Sequence, residues 1–261
     1  MNKSAERAHE IIELYLNEAR KMDFIDAVYL VGSLSDGTYT GNAGSDIDLV
    51  HIVSDSANYN SAKAEIIRLI GAIEQQTDRN IPISRVVYQK KHLVHPYVYD
   101  FELTQENMDL VNRPIEVLRI LDSGKLLLGE DVKSRLERPT REDVLETERL
   151  NRAILDKAKE TAPEFFDRYT ATRRNPELRM MTQIVLTTAM SDYFFYTDKS
   201  CSSKYHILER IEEDIPDFRY LNLLCLCHKN RFTPDRLTEQ DKEKMVEEYK
   251  KVFLTRPETW L

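Results

Sequence analysis

The feature that most constrains this chain is a glycine-rich segment that follows directly on a short apolar run. Residues 27–31 are apolar, β-branched or aromatic, and this composition predicts a buried strand. Four of the chain's seven glycines then fall within thirteen residues, at Gly32, Gly37, Gly41 and Gly44. Because glycine has no side chain to obstruct an approach, this density predicts a loop whose backbone comes close to another molecule.

The first residues of this loop are a candidate phosphate site. Glycine leaves the backbone N–H groups uncovered, and the hydroxyl of Ser33 follows Gly32 directly. Groups of this kind donate hydrogen bonds to phosphate oxygens. We therefore predict that Gly32 and Ser33 bind phosphate.

Two carboxylates flank Ile47 at the start of the next apolar run, which covers residues 46–53. The two-residue period of a strand places Asp46 and Asp48 on one face, while Ile47 and Leu49 turn to the other. Adjacent carboxylates repel each other, so such a pair is tolerated where solvent or a cation offsets the repulsion. Mg²⁺ prefers a few carboxylates supplemented by water and substrate phosphates. We predict that Asp46 and Asp48 are metal ligands.

The first half of the chain alternates predicted helices and strands. Helical spacing of apolar residues runs over residues 4–20 and 60–76, and strand-like runs follow at 83–88 and 97–103. Strands that alternate with helical crossovers indicate a small mixed sheet with flanking helices.

The composition changes after Gly129, because no glycine follows it and helical patterns succeed one another towards the C-terminus. The clearest of these predicted helices cover residues 141–160, 176–197, 204–213 and 238–253. The sequence therefore predicts an α/β domain over residues 1–135 and an all-α helical bundle over residues 136–261.

The glycine-rich loop and the paired carboxylates together resemble the signature of the polymerase-β-like nucleotidyltransferase superfamily. That signature is an apolar strand, Gly-Ser or Gly-Gly, a loop of about a dozen residues, and Asp-x-Asp on a second strand. This chain has Gly32-Ser33, twelve intervening residues and Asp46-Ile47-Asp48. The resemblance implies a nucleotidyltransferase domain in which Gly32 and Ser33 hold the terminal phosphates of a nucleotide and the two aspartates bind Mg²⁺.

The same superfamily usually has a third carboxylate on a later strand, either near the metal or as the base that deprotonates the acceptor hydroxyl. The predicted strand over 97–103 presents Asp100 and Glu102 on one face. Asp100 is the first choice for the metal ligand or base. Glu102 is the alternative, because a shift of the register by one pair would exchange the two.

Lys204 is a candidate nucleotide-binding residue in the helical half. It lies in the segment Ser202-Ser203-Lys204-Tyr205-His206, at the start of a predicted helix. A lysine there is a suitable partner for a triphosphate, and related enzymes often place a basic residue at this point. The alternative is a solvated lysine.

The plan of a nucleotidyltransferase domain followed by helices is similar to that of the bacterial antibiotic nucleotidyltransferases, which confer antibiotic resistance by adenylylating aminoglycoside hydroxyls. The resemblance implies Mg²⁺-dependent transfer of AMP from ATP to a hydroxyl of a small cationic acceptor, with release of pyrophosphate. Two alternatives stay open. One is a protein or tRNA acceptor, as in toxin–antitoxin nucleotidyltransferases, and the other is a catalytically silent binding module, against which the intact Asp46, Asp48 and Ser33 argue.

The charge and composition of the chain limit its possible partners and its cellular compartment. Lys and Arg number 37 against 45 Asp and Glu, a net charge of −8 that argues against a stable nucleic acid partner. Three cysteines cannot all pair internally, and no basic region followed by a cleavable apolar stretch begins the chain, so we expect a cytoplasmic protein. No apolar run has the roughly 20 residues needed to cross a membrane. We expect a monomer or a homodimer.

Overall fold

The structure is a computed structural model that describes residues 3–41, 46–77, 81–174 and 176–254. The chain divides into two compact units. The first comprises Met1–Asp100 and Asp109–Pro139, and the second comprises Phe101–Met108 and Thr140–Leu261. The short segment Phe101–Met108 therefore groups with the second unit, although the sequence places it within the first half of the chain.

In the described part of the first unit, the central element is a four-stranded mixed sheet. Its strands are β1 (Ile25–Leu30), β2 (Leu49–Val53), β3 (Val86–Gln89) and β4 (Lys125–Gly129). They lie in the order β3-β2-β1-β4, with β1 antiparallel to β2 and β4, and with β2 parallel to β3. A parallel pair needs a crossover connection, which a helix between β2 and β3 provides.

Helices cover the apolar surface of this sheet. Those that precede β4 are α1 (Lys3–Ala19), α2 (Gly32–Asp36), α3 (Tyr59–Gln76), α4 (Met108–Val111) and α5 (Arg113–Ser123). Ile11 and Tyr15 of α1 and Ile66 and Ile70 of α3 are fully buried in one core with Leu49 of β2. Each such side chain contributes about 1.5–3 kcal/mol when it leaves water. This core holds in place the strand ends next to which the candidate site residues lie.

The register between β1 and β2 determines which loop residues meet. Leu30 at the end of β1 pairs with Leu49 at the start of β2. The N–H of Val31 donates a hydrogen bond to the carbonyl oxygen of Asp48, with a nitrogen-to-oxygen distance of 3.0 Å. As a result, Gly32 lies next to Asp48.

The strand predicted over residues 97–103 is wrong, because this segment is irregular. The Arg113 guanidinium lies 4.8 Å from the ring centre of Tyr99 and donates hydrogen bonds to the carbonyls of Val98, at 2.7 Å, and His92, at 3.2 Å. The carbonyl of Val98 is thus satisfied by a side chain rather than by a neighbouring strand. The fourth strand of the sheet is β4, which the sequence analysis missed.

The second unit is helical throughout its regular elements. Its long helices are α6 (Arg141–Thr161), α7 (Pro163–Arg174), α8 (Leu178–Thr197), α9 (Ile207–Asp214), α10 (Leu221–Phe232) and α11 (Glu239–Tyr249), followed by a π-helical turn at Lys250–Leu254. Val185 and Leu186 of α8, Leu224 of α10 and Met245 of α11 are fully buried in its core. The predicted class, a small mixed α/β domain followed by helices, is confirmed. In the part of the chain that the structure describes, no helix combines the length and apolar character of a membrane span.

Candidate active site

Gly32 occupies a position that only glycine fits. Its φ of +70° lies in the left-handed region, and a Cβ added there would collide with Oδ2 of Asp48 and stand 3.2 Å from Nη2 of Arg119. Both effects exclude a side chain, because left-handed backbone and close approach each favour glycine. The predicted phosphate loop and the predicted metal ligand Asp48 are therefore in direct contact.

Asp48 is held by an ion-paired cluster on α5. Its Oδ2 lies 3.1 Å from Nη2 of Arg119, and Nη1 of the same guanidinium lies 2.9 Å from Oε1 of Glu116. Only 20% of the Asp48 side chain and 12% of the Glu116 side chain are exposed. A single guanidinium thus fixes two carboxylates at the base of the loop.

The protonation of this cluster follows from its burial and its charges. Burial raises the pKa of Glu116, and the nearby Asp48 adds to the rise, although Arg119 opposes it. For Arg119, burial acts to lower the pKa, but Glu116 and Asp48 together raise it above its ordinary value. Arg119 therefore stays charged and serves as the counter-ion of Asp48.

Asp46 and Asp48 lie just before β2, which begins at Leu49 rather than at residue 46 as predicted. Ile47 and Leu49 are fully buried, whereas Asp46 and Asp48 are partly exposed. Ile47 forms a parallel bridge with Ile83, which fixes the backbone between the two aspartates. Asp46 also lies close enough to Tyr39 to help burial raise the pKa of that hydroxyl. The alternation of buried and exposed side chains places both carboxylates on the face opposite Ile47 and Leu49.

Ser33 follows Gly32 at the start of α2 and is partly exposed. Its hydroxyl makes no hydrogen bond with the described part of the chain, so it is available to a ligand. Further along the loop, Oδ1 of Asp36 accepts hydrogen bonds from the N–H and the hydroxyl of Thr38, at 2.9 and 2.6 Å. Gly37, at φ +83°, has nothing within 4 Å of an added Cβ and serves this turn. Gly44 lies outside the described residues.

Within the described part of the chain, no hydrogen bond or ion pair joins Asp100 to Asp48. Asp100 is exposed, and it acts electrostatically on Arg113 and His92 of the first unit. Glu102 belongs to the second unit, where its Oε1 lies 2.7 Å from Nζ of Lys157 on α6. A catalytic role for either residue stays a prediction.

Lys204 lies in the turn that precedes α9 in the second unit and is partly exposed. It takes part in an interaction within the structure. Its assignment to the nucleotide also stays a prediction.

Asp46 and Asp48 are a donor set that fits Mg²⁺. Their hard carboxylate oxygens match its preference, and Mg²⁺ commonly takes one or two carboxylates and completes its coordination with water and substrate phosphates. Within the described ranges, no three His, Cys, Asp or Glu side chains form a closed metal cage.

Sequence reasoning missed Glu116 and Arg119. Their spacing of three residues on one helix is typical of an exposed ion pair, and nothing in the sequence indicates that the pair faces Asp48. One signal is present in the sequence, since Glu116 lies one helical turn before the buried Ile120 and next to the buried Val117. That pattern indicates that Glu116 and Arg119 lie close to the core, but it does not identify Asp48 as their partner.

Comparison with known proteins bears on the same segment. Among curated proteins, none matches this chain by sequence. Residues 12–117 match the family model of the nucleotidyltransferase domain. The matched range contains Gly32, Ser33, Asp46 and Asp48, and it ends before the helical unit resumes at Thr140. The chain thus has an N-terminal nucleotidyltransferase domain, and its activity class is nucleotidyl transfer.

Proposed function

We propose that this protein is an Mg²⁺-dependent adenylyltransferase that moves AMP from ATP to a hydroxyl of a small cationic acceptor, as aminoglycoside nucleotidyltransferases do. The observation that carries the proposal is the contact between the left-handed Gly32 and the carboxylate of Asp48. This contact would join a phosphate-binding loop to a metal-binding carboxylate at one point. Nucleotidyl transfer needs both functions at the same phosphate chain.

Gly32 and Ser33 would bind the terminal phosphates of ATP. The unoccupied hydrogen-bonding capacity of the Ser33 hydroxyl supports this role, because a phosphate oxygen accepts from such a donor. Positioning these phosphates also orients the leaving pyrophosphate for an in-line reaction, and positioning of this kind supplies a large share of enzymatic rate enhancement.

Asp46 and Asp48 would hold Mg²⁺, which when bound offsets negative charge on the triphosphate. Arg119 keeps the Asp48 carboxylate in one orientation, because its guanidinium is fixed in turn by Glu116. Carboxylate placement is therefore determined before the nucleotide arrives.

The reaction itself exchanges one bond for another. A bond forms between the acceptor oxygen and the α-phosphorus, while the bond from that phosphorus to the oxygen of the β-phosphate breaks. The acceptor hydroxyl loses its proton to a base, for which Asp100 is our candidate and Glu102 the alternative. Lys204 would neutralise part of the charge on the triphosphate or on the departing pyrophosphate.

A small cationic acceptor is favoured by the net charge of −8. An acidic surface attracts cations and repels the phosphates of tRNA, although net charge acts on association more than on chemistry. An assay with both kinds of acceptor therefore distinguishes a small molecule from a macromolecule.

Pyrophosphate release from ATP and Mg²⁺, measured with a panel of hydroxylated amines, tests the proposal. We expect release that depends on the amine and on Mg²⁺ and that disappears in the Asp48→Asn variant. N-acetylated forms of the same compounds are the matched controls, since they keep the hydroxyls and lose the charge. Equal turnover of charged and acetylated compounds would contradict the cationic acceptor. Labelling of tRNA or protein from α-labelled ATP, with no turnover of any amine, would replace it with a macromolecular acceptor.

A further inference from the structure

A cavity of about 400 Å³ lies within the helical unit, between α6 and α8. Its volume is in the range of sites that hold small organic ligands. Glu148 and Val144 line it from α6, and Asp192 and Phe195 line it from α8. The spacing of four residues between Val144 and Glu148, and of three between Asp192 and Phe195, places the two members of each pair on one helix face. Each of the two helices thus presents one carboxyl group and one apolar side chain to the cavity.

Two carboxyl groups in the cavity differ in how they are held. Asp192 is fixed, because its Oδ2 accepts hydrogen bonds from the hydroxyl of Tyr220, at 2.7 Å, and from Nη2 of Arg219, at 3.1 Å. Glu148 makes no hydrogen bond or ion pair with the described part of the chain. A partly buried carboxylate without a partner is unfavourable, so this group is suited to an incoming donor.

The cations around the cavity are engaged with carboxylates other than Glu148. Arg149 is paired with Glu146, through Nε to Oε2 at 2.8 Å and Nη2 to Oε1 at 2.6 Å. Arg152 interacts with Asp156 one turn further along α6, and Arg219 is paired with Asp192. These arginines therefore leave the charge of Glu148 uncompensated.

Two aromatic rings form a further wall. Phe195 and Tyr196 have 40% and 49% of their surface exposed, and their ring centres lie 5.7 Å apart in an edge-to-face arrangement. Exposed aromatic rings beside an anionic group are suited to ligands with a cationic head and an apolar body. An inorganic cation would use the carboxyl group but not the rings.

We propose that this cavity is a binding site for a small organic ammonium compound, with the ammonium group at Glu148 and Asp192 and the apolar part against Phe195 and Tyr196. The site lies within the helical unit alone, and its existence does not rest on the proposed transfer reaction. It can therefore be tested without nucleotide, and its failure would leave the proposed function untouched.

The protonation of Glu148 gives the site a pH signature. Burial, with a further contribution from Asp192, raises the pKa of Glu148 to about 7. The charged groups that line the cavity with it are Asp192, Arg219, Arg149 and Arg152. A bound ammonium group favours the ionised carboxylate, so binding near neutral pH releases a proton from Glu148. The affinity should therefore rise with pH while the amine itself stays charged.

Benzylammonium is a suitable probe, and benzyl alcohol is its neutral counterpart. We expect benzylammonium to bind the full chain with a Kd of about 10 mM or lower in ligand-observed NMR titrations, and benzyl alcohol to bind at least about tenfold more weakly. Its affinity should increase about tenfold or more between about pH 5.5 and pH 8. Equal binding of the two probes, or no binding of benzylammonium, would overturn the proposal.

Two variants and one control locate the binding. Glu148→Gln should weaken benzylammonium binding about tenfold or more and abolish its pH dependence, because a charge-assisted hydrogen bond becomes a neutral one. Phe195→Ala should weaken it too while leaving the pH dependence in place, and the exposure of Phe195 makes this variant compatible with folding. Glu160→Gln, on the exposed surface of α6, should bind like the unsubstituted protein. Binding that survives both Glu148→Gln and Phe195→Ala would refute the site.

Discussion

Replacing Gly32 with alanine tests the central contact of the candidate active site, and Gly37 offers a matched control. Both glycines have positive φ angles, +70° and +83°, and they lie five residues apart in the same loop. An added Cβ at Gly32 collides with Oδ2 of Asp48, whereas an added Cβ at Gly37 has nothing within 4 Å. The two substitutions therefore share the backbone strain, and only one of them disturbs Asp48.

The structure gives the size of each effect. Holding an alanine in left-handed backbone costs about 1–2 kcal/mol, which both variants should lose in their free energy of unfolding. Forcing a methyl group into a filled space costs about 1–3 kcal/mol more, and this second cost applies to Gly32→Ala alone. We thus expect a loss of about 1–2 kcal/mol for Gly37→Ala and of about 2–5 kcal/mol for Gly32→Ala.

Activity should separate the variants more sharply than stability does. Relief of the collision moves the Asp48 carboxylate away from its position 3.1 Å from Arg119, and a misplacement of about 1 Å can lower a rate about 100-fold. Gly37→Ala should stay within a few-fold of the unsubstituted rate. Urea unfolding and acceptor-dependent pyrophosphate release measure the two quantities. If the two variants lost activity equally, the close approach of Gly32 to Asp48 would have no catalytic meaning.

Four further predictions address single residues. Asp46→Asn and Asp48→Asn should each abolish transfer, while circular dichroism shows an intact fold. A variant that keeps more than about a tenth of the activity has lost less than ~1.4 kcal/mol of transition-state stabilisation, and that result would exclude a catalytic role for the residue. Ser33→Ala should raise the KM of the nucleotide more than that of the acceptor in separate titrations, and the reverse result would place Ser33 elsewhere. Asp100→Asn should lower kcat by about 10²–10⁴ with nucleotide binding retained, as for loss of a general base, and an unchanged kcat would exclude that role. Burial lowers the pKa of His51 from 6.5 to about 4, so the unfolded chain binds its proton first as the pH falls. The free energy of unfolding should therefore decrease from about pH 6.5 towards pH 4 by up to roughly 3 kcal/mol, and a His51→Phe variant with the same pH profile would refute this.

The part of the site that could be predicted from the sequence is carried by residues close to one another along the chain. Gly32 and Ser33 follow a strand, and Asp46 and Asp48 directly precede the next one, so local apolar patterns were enough to place them. Their shared position then followed from the antiparallel pairing of Leu30 with Leu49. The antiparallel pairing of two strands thus brings the two loop segments together in space.

The errors arose where a distant partner decided the structure. Residues 97–103 alternate apolar and polar side chains as a strand does, but Arg113 supplies hydrogen bonds that a strand partner would otherwise supply. Lys125–Gly129 follows α5 directly and looks like a continuation of its apolar pattern, yet it pairs with β1 as the fourth strand. In both places the outcome depends on a contact with a residue far along the chain, which a local pattern does not contain.

The cluster of Asp48, Arg119 and Glu116 also bears on why a cation belongs in the proposed function. One guanidinium serves two carboxylates, and Asp46, two residues before Asp48 along the chain, adds a further negative charge. Even with Glu116 counted as neutral, the carboxylates of Asp46 and Asp48 outweigh the single charge of Arg119, so the base of the loop is negative. A nucleoside triphosphate is itself strongly anionic and would be repelled by these charges. Arg119 cannot remove the conflict, because it is already committed to Asp48 and Glu116. Under the proposed function, the nucleotide would therefore bind together with a divalent cation, which Asp46 and Asp48 would hold and which would offset the negative charge of the phosphates.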